Sequence, residues 1–268
     1  MWGEAPDSGD PPPPSPRDPL LLLADPVPGP AMWDAVVPLL SGGFVVLREP
    51  PPPAVAPSPD LPAPDAAGWA ERELVLRNLY PVHLVASGFG AAAAIRLARQ
   101  RPELLRSLVL HAPIVRFGPE VGPGAPAWTD VRERFAPVAA ALEQGDGIGA
   151  RRAWRAALLP PDHPLPSPTG VALGIDPAQR GWLADWRDPA AWTVSSPADF
   201  DFLPPVLVLD GAVSPPFLHR IAGELARGFP NVTRMRLPDA DPLLPEVDPQ
   251  RLAAVLFSFC LERNVPTA

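Results

Sequence analysis

Short strand-like runs alternate with stretches of helical spacing along this chain, and that alternation restricts its fold more than any other feature. The runs are Leu20–Ala24, Gly43–Leu47, Val82–Ser87, Ser107–His111, Pro205–Asp210 and Val232–Leu237. Runs apolar at nearly every position, such as Leu20-Leu21-Leu22-Leu23, suit strands covered by helices on both faces of a parallel sheet. Between the runs, Ala31–Leu40 carries Met32, Val36, Val37 and Leu40 at helical intervals, and Trp69–Leu79 makes a short helix. Further helices are expected from Phe89 to about Arg101, over Pro216–Gly228 and over Pro249–Glu262. Parallel neighbours need crossover connections, so the expected fold class is α/β. It is a doubly wound, mostly parallel sheet of about six strands, with its ligand crevice at the carboxyl ends of those strands.

Residues from Phe117 to about Asp201 break the rhythm with helical patterns at Val131–Leu142, Ala150–Leu159 and Pro177–Trp186. They read as a cap over the crevice, spanning about 117–201. Its tryptophans, Trp128, Trp154, Trp182, Trp186 and Trp192, are expected mainly as the cap's own core, with Trp128 at the ligand pocket. Residues 1–18 hold Pro11-Pro12-Pro13-Pro14 without a basic start or a long apolar segment, which predicts a disordered leader and not a signal peptide. Residues 19–268 then form one domain with the cap inserted. Arg48–Ala66 is proline-dense and must be loop.

The net charge of -8 argues against a nucleic-acid or anionic-membrane surface as partner. No apolar run is long enough to cross a membrane, so a soluble cytoplasmic protein with a small-molecule ligand is expected. Every basic side chain other than the four histidines is arginine, and there are 44 prolines, which suggests a GC-rich bacterial genome. The single cysteine, Cys260, excludes an internal disulfide and reads as a buried helix thiol. No histidine has metal-ligand spacing to another ligand, and neither a metal nor a cofactor is expected.

Val82-His83-Leu84-Val85-Ala86-Ser87-Gly88-Phe89-Gly90-Ala91 reads as strand, sharp turn and helix, and it resembles the G-x-S-x-G nucleophile elbow of the α/β-hydrolase family. In that register Ala86 and Gly90 take the flanking glycine positions, and Gly88 takes the nucleophile's. Ala24-Asp25-Pro26 with Pro28-Gly29 and Met32-Trp33 resembles the family's oxyanion loop, and Arg101 to Leu110 resembles the segment after the elbow. Leu237-Pro238-Asp239-Ala240-Asp241-Pro242-Leu243-Leu244-Pro245, followed by Pro249, resembles its closing motif and sets Pro242 where the catalytic histidine stands. The acid position falls on Ser214, or by the alternative route on Ala112. The resemblance thus implies an α/β-hydrolase-like fold whose triad positions hold Gly88, Pro242 and Ala112 or Ser214, with a ligand pocket formed by Asp25, Gly88, Phe89, Ala112, Trp128, Ser214 and Pro242.

A catalytically degenerate pseudo-hydrolase that binds a small apolar carbonyl ligand or a partner follows from that set. The alternatives are a non-triad enzyme of specialised metabolism (a cyclase, isomerase or lyase), and a hydrolase with its nucleophile displaced to Ser87. Strand alternation turns Ser87 away from the side on which residue 88 projects, and no histidine is expected in register with it. His111 is expected to be a lone structural imidazole. Asp25, Asp239 and Asp241 are expected as solvated loop carboxylates, with a proton shared between Asp25 and Asp241 as the alternative. Ser87, His111 and Asp241 are the catalytic candidates that remain. Glycine at 88 removes backbone strain of roughly 1–3 kcal/mol, and the amide of Phe89, at a helix start, is expected to be free to bind a carbonyl.

Overall fold

The structure, a computed structural model, describes residues 17–48, 66–117, 125–160, 163, 175–194 and 204–262. The expected leader, up to residue 16, and the proline-dense segment at 49–65 lie outside the described residues, as do parts of the cap. Six parallel strands form the main sheet: β1 (Asp18–Leu23), β2 (Phe44–Leu47), β3 (Val82–Ser87), β4 (Leu105–His111), β7 (Val206–Gly211) and β8 (Val232–Leu237). Their spatial order is β2-β1-β3-β4-β7-β8. β5 (Arg116–Phe117) and β6 (Thr193–Val194) form a separate parallel pair that the sequence did not suggest, because two residues carry no periodicity.

Side-chain alternation sorts the sheet into two buried faces. Leu21, Leu84, Ala86, Leu108, Leu110, Val206 and Val208 belong to one core with α2 (Ala66–Arg77), α3 (Gly90–Gln100) and α7 (Pro216–Gly228). Leu20, Leu22, Val85, Val109, Leu207 and Leu209 belong to the other, with α1 (Val37–Leu40) and α9 (Pro249–Glu262). Alanines 91–94 let α3 lie close against the sheet, and all four are buried. Gly90 is part of that closeness: a Cβ there would stand 2.6 Å from the carbonyl oxygen of Ala24, at the end of β1.

The expected helix over Ala31–Leu40 is instead a 3-10 turn at Pro30–Trp33 followed by the single turn α1. Pro38 has no amide proton and its ring crowds the preceding turn, which disfavours carrying one helix from Ala31 through it. α2 ends at Arg77, before the expected Leu79, because Asn78 takes a left-handed conformation with φ 53°. β8 is one of the two outer strands, and its residues from Thr233 to Arg236 are exposed.

Between β4 and β7 lie α4 (Ala125–Glu143), α5 (Gly147–Leu158) and α6 (Pro177–Arg187). Asp146 starts α5 by accepting the Gly149 amide at 2.7 Å, and Asp176 starts α6 in a reciprocal capping box with Gln179. Arg132 closes the group, its guanidinium 4.0 Å above the Trp186 ring. No helix among the described residues is long and apolar enough to cross a membrane.

Candidate functional site

The turn at residue 88 is built by its neighbours. β3 ends at Ser87, and the Gly88 amide donates to the His111 carbonyl at 3.1 Å. The Gly88 carbonyl accepts from Ile114 at 3.0 Å and Ala91 at 3.2 Å. Held so, Gly88 has φ 56°, a left-handed conformation that glycine adopts without steric cost. Phe89 then starts α3, leaving its amide without a partner inside the helix.

Asp25 takes that amide. Its Oδ2 accepts from Phe89 N at 3.2 Å and its Oδ1 from Val27 N at 3.0 Å. The side chain is fully buried. A Cβ on Gly88 would lie 2.9 Å from Asp25 Cγ and far inside contact distance of Oδ2. The carboxylate thus occupies the space that any side chain at position 88 would need. Burial pushes the Asp25 carboxyl up to about 6, against the lowering effect of the two amides and of the Trp154 side chain. Trp154 Nε1 is itself buried without a hydrogen-bond partner among the described residues.

Two expectations change as a result. Asp25 is not a solvated loop carboxylate, because the chain turns inward where β1 passes Gly90. Nor is the Phe89 amide free for a carbonyl ligand. No bond joins Asp25 to Asp241 among the described residues. Asp241, also expected to be solvated, is instead buried: it accepts the Leu243 amide at 2.7 Å and lies 3.8 Å from His163 Nε2. Asp239 is exposed, as expected, with φ 54°.

Above the turn the cap is packed with rings. The Phe89 ring lies 4.7 Å from Trp192, 5.1 Å from Phe135 and 5.6 Å from Trp182, centroid to centroid. Trp186 stacks on Trp182, and half-buried Trp128 reaches the group through Trp192 at 5.8 Å. Buried Gln179 ties α6 to the Asp25 loop by donating to the Val27 carbonyl at 3.1 Å and to the Gly147 carbonyl at 3.3 Å. Arg155 of α5 pairs with Glu246 at 2.5 Å, which joins the cap to α8 (Leu244–Val247).

Asp25, Gly88 and Phe89 of the expected pocket therefore meet. Ala112 lies beside them, buried and left-handed with φ 43°. Ser214 is buried, its hydroxyl without a partner among the described residues, and Pro242 is buried in the turn before α8. No described contact joins either residue to Asp25.

A histidine does stand in register with Ser87, contrary to expectation. Ser87 pairs with His111 across β3 and β4, and its Oγ is 3.0 Å from His111 Nδ1. Both are buried on the sheet face of Val85 and Val109, the one covered by α1 and α9 and away from Phe89. Burial pushes the His111 imidazole down to about 4, only partly opposed by the charge of Asp210, so the ring is neutral near pH 7. The same face repeats the arrangement lower down, where His83 Nδ1 is 2.7 Å from Ser107 Oγ. Cys260 is buried on this face too, its thiol pushed up to about 12 by burial.

Sequence reasoning missed one further cluster. Asp210, at the end of β7, accepts from Arg234 at 2.8 Å and Arg236 at 3.2 Å, and lies 2.8 Å from His219 Nδ1. Burial raises the Asp210 pKa, but the Arg234 and His219 hydrogen bonds and the charges of Arg234 and Arg236 outweigh it, and the net shift is downward. Among the described residues no group of three or more histidine, cysteine or acidic side chains could hold a metal ion.

No protein-family profile and no curated protein sequence matches the chain. Several solved structures do match its fold. MenH from S. aureus superposes with a TM-score of 0.66 at 14% identity, over 93% of this chain and 95% of that one. Olei00960, a hydrolase from Oleispira antarctica, gives 0.63 at 15% identity over 91% of each chain. A haloalkane dehalogenase variant, DbeA-M1 from Bradyrhizobium elkanii, gives 0.61 at 19% identity, over 93% of this chain and 90% of that one.

Proposed function

Starting from the α/β-hydrolase fold that this chain has, we propose that it is a pseudo-hydrolase: it keeps the scaffold, has given up ester hydrolysis, and acts by binding a small neutral molecule or a partner. One observation carries this reading. The Asp25 carboxylate sits on the Phe89 amide and in the space of a side chain at residue 88. A hydrolase with its nucleophile at this turn needs that space for the nucleophile and that amide for the developing oxyanion. The supporting positions agree, since neither Gly88 nor Pro242 has a group that can take a proton, and buried His111 is engaged with Ser87 on the other face.

The Ser87–His111 contact also supports a second reading, a displaced nucleophile. Two measurements separate them: hydrolysis of p-nitrophenyl acetate and butyrate against a buffer control, and labelling by a fluorophosphonate read by intact mass. The pseudo-hydrolase reading expects neither turnover nor label. Stoichiometric labelling at Ser87 would overturn it.

A further inference from the structure

Among the described residues β8 is bonded to β7 on one side, and no strand of the main sheet lies beyond it. Val206 N donates to the Asn231 carbonyl, and Ala212 N donates to the Leu237 carbonyl. With Val208 in register with Arg234 and Asp210 with Arg236, the odd-numbered residues of β8 bond inward to β7. The amides and carbonyls of Val232, Arg234 and Arg236 therefore point out from the free edge, where Thr233 to Arg236 are exposed. Such an edge accepts an added strand unless it is very short, bulged or broken by proline. β8 has six residues, no proline and an unbroken register.

Charge selects the occupant. Arg234 and Arg236 lie on one face of β8, and the carboxylate set against both is Asp210, whose Oδ2 accepts from them at 2.8 and 3.2 Å. Two guanidinium groups with five donors each thus share one acceptor oxygen and leave a positive charge in excess, on a chain whose net charge is -8. A second copy of the chain fits this edge poorly. Antiparallel pairing of β8 with itself, centred on Arg234 or on Met235, sets arginine opposite arginine, and like charges directly opposite are destabilising. Carboxylates at alternate positions of a partner strand would instead stand opposite the guanidinium groups, and uncharged residues between them would share the other face with Thr233 and Met235.

We propose that the free edge of β8 is a docking site for an extended acidic segment of another protein, which joins the sheet as an added strand. Its backbone bonds to Val232, Arg234 and Arg236, and its alternate aspartate or glutamate side chains pair with Arg234 and Arg236. β4 and β7 stand between this edge and β3, which leads into the Gly88 turn, so docking goes beyond the pseudo-hydrolase reading. Its outcome is independent of the turnover and labelling experiments.

The test uses the full chain and a capped, fluorescein-labelled peptide the length of β8 in which glutamate alternates with valine. Fluorescence anisotropy is expected to show saturable binding that weakens as NaCl rises from about 0.05 to 0.3 M. The same peptide with lysine for glutamate, or N-methylated at alternate amides in either phase, is expected not to bind. Arg236→Gln, which leaves Arg234 to pair with Asp210, is expected to weaken binding about fivefold. Hydrogen exchange on the wild-type chain needs no variant: saturating peptide is expected to slow exchange across residues 231–237. Absence of saturable binding overturns the proposal, as does equal binding of the lysine or N-methylated peptides, or unchanged exchange across β8. A concentration-dependent dimer that protects β8 without peptide overturns it in favour of a second copy.

Discussion

Gly88 and Asp25 should behave as one energetic unit, and a double-mutant cycle measures the coupling. Gly88→Ala has two costs in the native background. The first is an alanine held at φ 56°, worth roughly 1–2 kcal/mol. The second comes from the new Cβ, which would stand 2.9 Å from Asp25 Cγ. The carboxyl must leave, and a buried hydrogen bond to a charged group, worth about 1.5–3 kcal/mol, is lost with the Phe89 amide. The total is about 2.5–5 kcal/mol. With Asp25→Gly already present, only the backbone strain remains, about 1–2 kcal/mol. The coupling is therefore expected near about 1.5–3 kcal/mol, well above the roughly 0.5 kcal/mol within which independent sites add. Urea unfolding followed by tryptophan fluorescence, on wild type, both single variants and the double variant, measures all four corners. Additivity would refute the reasoning, since it would mean that the carboxylate does not occupy the space beside residue 88.

Other expectations follow from the buried titratable groups. Asp25 is raised from 3.8 to about 6 in the fold, so its titration contributes stability that is fully present below its unfolded pKa and is lost as pH rises through about 6. Asp25→Asn should therefore flatten the pH dependence of stability between those values, by about 3 kcal/mol at most. His83 and His111 act in the opposite sense: lowered from 6.5 to about 4, each contributes stability that is present above 6.5 and lost as pH falls through about 4. His111→Asn should weaken that acid loss, read from urea midpoints across the same range. Asp210→Ala should destabilise by roughly 2–4 kcal/mol, because Arg234, Arg236 and His219 lose a shared buried acceptor but can still reach solvent. An Asp210→Ala protein as stable as wild type in urea would show that the cluster does not brace β8.

Periodicity carries the sheet because burial on two faces writes itself into every residue of a strand. All six main strands fall on the apolar or alternating runs, within two residues at each end. Periodicity is silent where only two residues pair, as in β5 and β6, and it misleads at Ala31–Leu40, where Pro38 interrupts a pattern that hydrophobic spacing alone continues. The glycine at the turn was legible from its place between Ser87 and Phe89. Its partner was not, because the inward turn of Asp25 depends on how closely β1 passes Gly90, a tertiary distance that no local pattern encodes.

The serine–histidine contacts show where a readable signal was passed over. His83 with Ser107 and Ser87 with His111 are each separated by 24 residues, with the order reversed. Once two neighbouring parallel strands share one register, the first pair implies the second, so β3 and β4 had to place a histidine beside Ser87. The Asp210 cluster obeys the same logic: Arg234 and Arg236 are two apart on β8, aligned with Val208 and Asp210, so both guanidinium groups share the face of the carboxylate. Neither relation identifies a function, because register decides which side chains meet and solvent access decides what they can do. Ser87 and His111 meet in a closed layer beneath the sheet. Asp25 meets the Phe89 amide on the crevice side, under a cap held down by Gln179 and Arg155, and a foreign ligand must compete with it there.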